Sequence, residues 1–331
     1  MELCFIDKGG TRAVPVEEVD ALLAVDNGLL WINFDHTDDG GMGLLTELVD
    51  VREVDIEDCR TRTPVPKIHL YGDHMFSAIN GVARGTDGRL YFQPLKVFLN
   101  DRLIVTVLGP TNESLTREAA RHELAAVRLK LDAREFRPAT GLDLITAIRF
   151  EMLHTQEELT GAAARRIAAL ERRVMQADPV RAEALLHDLV GLRHDLQTIG
   201  TNAAQTYESY TQLHKMLGSQ DGLLKMDRKR IKELRQAFRH LKNTTDLERE
   251  YLQEMLDLFQ TRASTELNKF VRQITAWGTI GIAWTCVAGV YGMNFAYMPE
   301  LQWAYGYPFA LGLMAAIGIL LAIVFRRKGW M

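Results

Sequence analysis

The chain has 331 residues, is 47% hydrophobic and carries a formal net charge of −4. That length fills one large domain or two, and the mild acidity excludes the strong basic excess of a typical nucleic-acid binder. Three scattered cysteines (Cys4, Cys59 and Cys286) exclude a disulfide framework.

The N-terminal stretch MELCFIDKGG has no basic run followed by an apolar core, so no cleaved signal peptide is expected and the soluble part is expected in the cytosol. Runs Leu3–Ile6, Leu29–Phe34, Tyr91–Phe98 and Leu103–Leu108 are β-branched or aromatic and bounded by Gly, Asp or Asn, which predicts strands. Between them Pro15–Val25, Gly43–Val51 and Ser114–Leu131 read as helices, giving an α/β domain over residues 1–141. From Leu142 the pattern is helical. A hairpin over 142–222 pairs two charged helices that turn at Asp178-Pro179 and end at Gly218-Ser-Gln-Asp-Gly222.

From Leu223 to Gly292 there is no proline, and no glycine before Gly278. This predicts a stalk helix (223–273) running on into a membrane span, together about 70 residues and roughly 100 Å. The alternative is a break at Asn243-Thr244-Thr245. Lys225, Arg228, Lys229, Arg230, Lys232, Arg235, Arg239 and Lys242 make the far half of the stalk basic, and the nearer half is more acidic. A solvated face with inter-helix ion pairs accounts for most of these charges.

Composition then changes abruptly. Between Arg272 and Arg326 the one charged side chain is Glu300. Two uncharged stretches, with apolar cores at 274–292 and 307–325, are each long enough for the roughly 20-residue helix that crosses a bilayer. Residues 293–306 read as an interfacial loop. Lys269 and Arg272 precede the first span, the tail 326–331 carries Arg326, Arg327 and Lys328, and the loop has no Lys or Arg. The positive-inside rule therefore places both termini in the cytoplasm of a multi-pass protein.

Two helices cannot enclose a water-filled path, so a pore requires several copies around an axis. The first span has a face for it. Asn268, Val271, Ile274, Gly278, Ile282, Thr285 and Gly289 recur at a mean of 3.5 residues, the spacing of a seam that faces an axis. Spacing alone favours close helix packing over a pore, because small residues are common at membrane helix contacts.

Tyr291-Gly-Met-Asn-Phe295 is followed by Met298-Pro-Glu-Leu301, Trp303, Gly306-Tyr-Pro308 and the basic-aromatic ending Arg326-Arg-Lys-Gly-Trp-Met331. In order and spacing this resembles the CorA family of magnesium and cobalt transport channels. Val54-Asp-Ile-Glu-Asp58, Pro66-Lys67, Tyr71-Gly-Asp73 and Trp31-Ile32-Asn33 resemble its N-terminal pattern. The resemblance implies a homo-oligomeric, pentameric, funnel-shaped channel in the plasma (inner) membrane that passes Mg²⁺, with Co²⁺ or Ni²⁺ as further candidates, driven by membrane potential and gated by cytosolic Mg²⁺. It implies a mouth built from Gly292, Met293 and Asn294, Glu300 in the outer loop, and regulatory metal ligands at Asp87, Glu233 and Asp257. The family's usual proline in the first span is replaced by Ala283. Trp284 is expected to face neighbouring subunits or lipid.

No P-loop, GxGxxG, nucleophile elbow or HExxH is present, so neither an enzyme nor an organic cofactor is expected. The expected partners are further copies of the chain and membrane lipid. The competing readings are an H⁺-coupled zinc transporter of the same superfamily and a non-conducting membrane-anchored coiled coil.

Overall fold

The computed structural model describes residues 1–24, 28–62, 65–176, 183–216, 228–294, 298–299 and 303–331. It divides into two compact units, one of residues 1–175 with 184–253, the other of 176–183 with 254–331.

The first unit is built on seven strands: β1 (Glu2–Asp7), β2 (Gly10–Ala13), β3 (Gly28–Asp35), β4 (Lys67–Leu70), β5 (Met75–Arg84), β6 (Leu90–Leu99) and β7 (Leu103–Leu108). Their order is β2-β1-β3-β7-β6-β5-β4, with β3 and β7 parallel and the other neighbours antiparallel. Side chains alternate along a strand, and here both faces are covered. Cys4, Ile6, Leu29, Trp31 and Ile104 face one core, with Leu124 and Val127 of α4 (Arg117–Asp132) and Leu144, Ile148 and Met152 of α5 (Gly141–Gln176). Leu3, Phe5, Leu30, Ile32 and Phe34 face the other, with Val19 of α1 (Val19–Ala24), Met42 and Leu45 of α2 (Asp39–Leu48) and Cys59 of α3 (Glu53–Arg60). Burial on two faces explains why these strands are apolar on both sides, with few polar exceptions such as Asn33 and Thr106.

The expected strands are all present, and three others join them. β5 is interrupted by Ser77, Asn80 and Gly81, which hides it from a search for apolar runs. One of its main-chain groups finds a partner outside the sheet: the Asn202 amide donates to the Asn80 main-chain carbonyl at 3.0 Å, where the cross-strand residue, Pro94, has no N–H. α2 begins at Asp39, before the expected Gly43, because Asp38 caps it by accepting from the Gly41 N–H at 3.0 Å. Gly41 is required there, since a Cβ would lie 2.5 Å from the Phe34 ring.

Beyond the sheet, α5, α6 (Glu183–Met216) and α7 (Arg228–Tyr291) share a core of Leu153, Ile199, Ala203, Ile231, Leu234 and Phe238. The buried Arg149 guanidinium lies over the rings of Tyr210 and Phe238, 5.5 and 5.0 Å from their centroids. The turn expected at Asp178-Pro179 and the break at Gly218–Gly222 lie outside the described residues. At Asn243-Thr244-Thr245 α7 is unbroken. Thr245 is buried, and its hydroxyl donates to the Leu241 carbonyl at 2.7 Å.

The second unit contains the remainder of α7, from Glu254, and α8 (Gly306–Arg327). Both helices are long and apolar enough to cross a membrane. α7 is also continuous through Ala283, where a proline would interrupt its hydrogen-bond ladder.

Candidate functional site

The last turns of α7 have two distinct faces. Ala276 and Ile280 are buried, and the Trp284 indole N–H donates to the Met314 carbonyl of α8 at 2.9 Å. Gly306, Ala310 and Gly318 are the buried positions of α8. A Cβ on Gly318 would lie 3.1 Å from Nε1 and Cζ2 of Trp284, so the glycine leaves room for the indole. Trp284 therefore contacts α8 of its own chain, while 45% of it stays exposed on the single chain, on the side expected to meet neighbours or lipid. Its hydrogen bond satisfies a polar group that hydrocarbon could not.

Asn268, Val271, Ile274, Gly278, Ile282, Thr285 and Gly289 are all exposed on the single chain, Ile282 at 72%. At about 100° per residue they lie roughly opposite the positions that α8 covers. The α7–α8 contact therefore leaves this stripe unused.

Local chemistry suits the stripe to a hydrated cation. Thr285 spends its proton on the Gly281 carbonyl at 2.9 Å, which leaves oxygen lone pairs as its outward feature. Thr275 does the same to Val271 at 2.8 Å. Gly278 and Gly289 have open space where a Cβ would stand, so nothing narrows the stripe at those levels. α7 ends at Tyr291, and Gly292 N donates to the Ala288 carbonyl at 2.9 Å. Exposed Met293 and Asn294 follow at once, beside the negative end of the helix dipole, where a cation is favoured. Glu300 lies outside the described residues.

The three acids expected to bind regulatory metal have separate surroundings. Asp87, in the β5–β6 turn, accepts from the Tyr91 hydroxyl at 2.5 Å and from the Arg89 N–H at 3.1 Å. The Tyr91 hydrogen bond, more than any other contact, holds its carboxyl below the ordinary carboxylate range. Glu233 is exposed with Lys229 Nζ at 4.0 Å, and lines a cavity of about 330 Å³ with Lys130, Asp143, Glu151 and Arg230. Around that cavity Lys130 pairs with Glu151 and Arg230 with Asp143, both at 2.5 Å. Asp257 is exposed in the second unit, and its main-chain carbonyl accepts from Thr261 at 2.8 Å. Among the described residues no group of three or more His, Cys, Asp or Glu is arranged to hold a metal.

Asp195 has a positioning role that the sequence reading missed. Buried on α6, it accepts from Arg84 at 3.1 Å and from the Leu90 N–H at 3.3 Å, which fixes both ends of the turn carrying Asp87. The available signal was an acid among the core positions Leu185, Leu189, Leu192, Leu196 and Ile199 of one helix.

The family model for CorA-like Mg2+ transporter protein matches residues 26–327. YfjQ of Bacillus subtilis (strain 168) is 27% identical over 325 residues, spanning 96% of this chain and 94% of that protein. The cobalt/magnesium transport protein CorA of Thermotoga maritima is 36% identical over 89 residues, which are 27% of this chain and 25% of that one. The solved CorA magnesium transporter of Methanocaldococcus jannaschii superposes with a TM-score of 0.79 at 16% identity, covering 100% of this chain and 99% of that one, and so shares the fold.

Proposed function

Because the chain belongs to the CorA-like Mg2+ transporter family, a family of divalent-cation transporters and not of enzymes, we propose that it forms a homo-oligomeric, pentameric channel for hydrated Mg²⁺ in the plasma membrane, with both termini in the cytoplasm. One observation carries this reading: the seven stripe positions of α7 are exposed while α8 packs on the other side of the helix. Copies arranged around an axis would cover the stripe and leave α8 outermost, toward lipid.

Mg²⁺ gives up its water reluctantly. Amides of Asn294 and main-chain carbonyls of Gly292 and Met293, repeated around the ring, accept hydrogen bonds from that water without stripping it. Weak sites of this kind allow both entry and release. Thr285 oxygens repeat the arrangement deeper in the path. A ring of Glu300 concentrates cations near the entrance. Val271, Ile274 and Ile282 close the path by dewetting. Asp87, Glu233 and Asp257 bind cytosolic Mg²⁺ between subunits, holding the closed arrangement together against like-charge repulsion.

The test is flux into liposomes with competing Mg²⁺, Co²⁺, Ni²⁺ and Zn²⁺, with and without a pH gradient. Asn294→Ala is expected to lower Mg²⁺ flux by about 10-fold or more, as loss of a positioned polar group does elsewhere, while the oligomer stays folded. Normal flux in a well-expressed variant removes Asn294 from the mouth. Zn²⁺ flux that requires the pH gradient replaces the channel with a proton-coupled transporter.

A further inference from the structure

The end of α8 is held in a defined geometry. Gly329 adopts the left-handed region at φ 68°, Gly329 N donates to the Arg326 carbonyl at 3.1 Å, and Trp330 N donates to the Phe325 carbonyl at 2.9 Å. These two bonds together make the Schellman cap. Its hydrophobic contact is present too: the Trp330 and Phe325 rings stack with centroids 5.5 Å apart and planes 14° apart. The chain is thus turned back on the helix, and the indole is fixed beside the last apolar turn.

Arg326, Arg327 and Lys328 occupy the turn between the two rings, and all three are exposed. Successive residues advance by about 100°, so the three cations fan across about 200° of the helix rim. Among the described residues none of them has an acidic partner. The cap accounts for the left-handed glycine and the ring contact, and the helix dipole for the sign of the charges; together they leave three unpaired cations at the level of a fixed indole. A fixed indole at the apolar edge with cations at the same level matches one chemistry: an acyl chain below a phosphate.

We propose that Arg326, Arg327 and Lys328, with Trp330 held on Phe325 by the Gly329 turn, form a binding site for the headgroup of an anionic phospholipid in the cytoplasmic leaflet. The proposal rests on the reading that α8 crosses the membrane with its C-terminal end in the cytosol. Arginine forks bind phosphate oxygens in pairs, and the indole covers the glycerol region where an interfacial tryptophan belongs. Each occupied site ties the outer helix of one subunit to lipid.

The experiment uses the full-length protein in zwitterionic detergent, titrated separately with phosphatidylglycerol, phosphatidylcholine and free glycerol 3-phosphate, with retention read by native mass spectrometry. Wild type is expected to retain phosphatidylglycerol at least about ten-fold more strongly than phosphatidylcholine, since each cation contributes to headgroup attraction. The triple variant R326Q/R327Q/K328Q is expected to lose that preference. Gly329→Val keeps every charge, and so every insertion signal, but cannot hold the turn. It is expected to lose a measurable part of the preference. Equal retention of the two lipids by wild type overturns the proposal, as does an unchanged preference in either variant or full displacement by glycerol 3-phosphate. Retention is read without ion flux. A protein that conducts yet shows no headgroup preference refutes this inference alone, and one that shows the preference but does not conduct refutes only the channel.

Discussion

The contact between Trp284 and Gly318 offers the sharpest test of how the two apolar helices pack. Trp284→Phe removes the indole N–H that reaches the Met314 carbonyl at 2.9 Å. Hydrogen bonds between membrane helices are worth about 0.6 kcal/mol on average and up to about 1.7, so the variant should lose about 1 kcal/mol once lost packing is added. Gly318→Ala places a methyl 3.1 Å from Nε1 and Cζ2, inside the ordinary carbon contact of about 3.5–4.0 Å. Overpacking of this kind costs about 1–3 kcal/mol. Phenylalanine lacks the two atoms that crowd the new methyl, so the double variant should be less impaired than the sum of the singles. A coupling of about 1 kcal/mol falls within the range for side chains in contact. The assay is equilibrium unfolding of the four proteins in mixed micelles. If the two losses add to within about 0.5 kcal/mol, Trp284 and Gly318 do not touch, and the assignment of the opposite stripe to the pore loses its basis.

Two further outcomes test the body and its regulation. Burial raises the Glu123 carboxyl above its ordinary 4.5, so the native state holds a proton through a window in which the unfolded chain has released it. Stability must fall as pH rises through that window; Glu123→Gln should therefore exceed wild type in denaturant midpoint near about pH 8 and match it below about pH 4, and a gap that is the same at both would refute the burial argument. For regulation, combining Asp257→Asn, Glu233→Gln and Asp87→Asn should abolish inhibition of flux by internal Mg²⁺, which needs only about 1–3 kcal/mol of differential affinity. Identical inhibition in the variant would leave these acids as ordinary ion-pair partners, the role that Lys229 already suggests for Glu233.

Much of the fold was legible because its signals are local. Leu29–Phe34 and Leu103–Leu108 are short, mostly apolar runs, interrupted only by Asn33 and Thr106, as strands buried on both faces are. β5 was not legible, since Asn80 and Gly81 look like loop residues until Asn202, far along the chain, supplies the missing donor. The early start of α2 was hidden for a similar reason. Gly40 and Gly41 signal a loop by propensity, and only the face of Phe34 explains why a helix needs a glycine there. Tertiary contacts overrode local preference in both places.

The candidate site divides along the same line. The order from Gly292 to the basic ending is a linear motif, and the sequence carries all of it. The stripe is different, because small residues at a 3.5-residue spacing serve a packed contact and an open seam equally well. Separating the two requires knowing what α8 covers, and a single position largely decides it. Trp284 is bulky, and in hydrocarbon its N–H must find an acceptor. It finds the Met314 carbonyl, and the glycine one turn further along α8 admits its ring. With α8 committed to that side, Val271, Ile282 and Thr285 cannot be its packing surface. In the proposed channel, further copies of the same chain cover them.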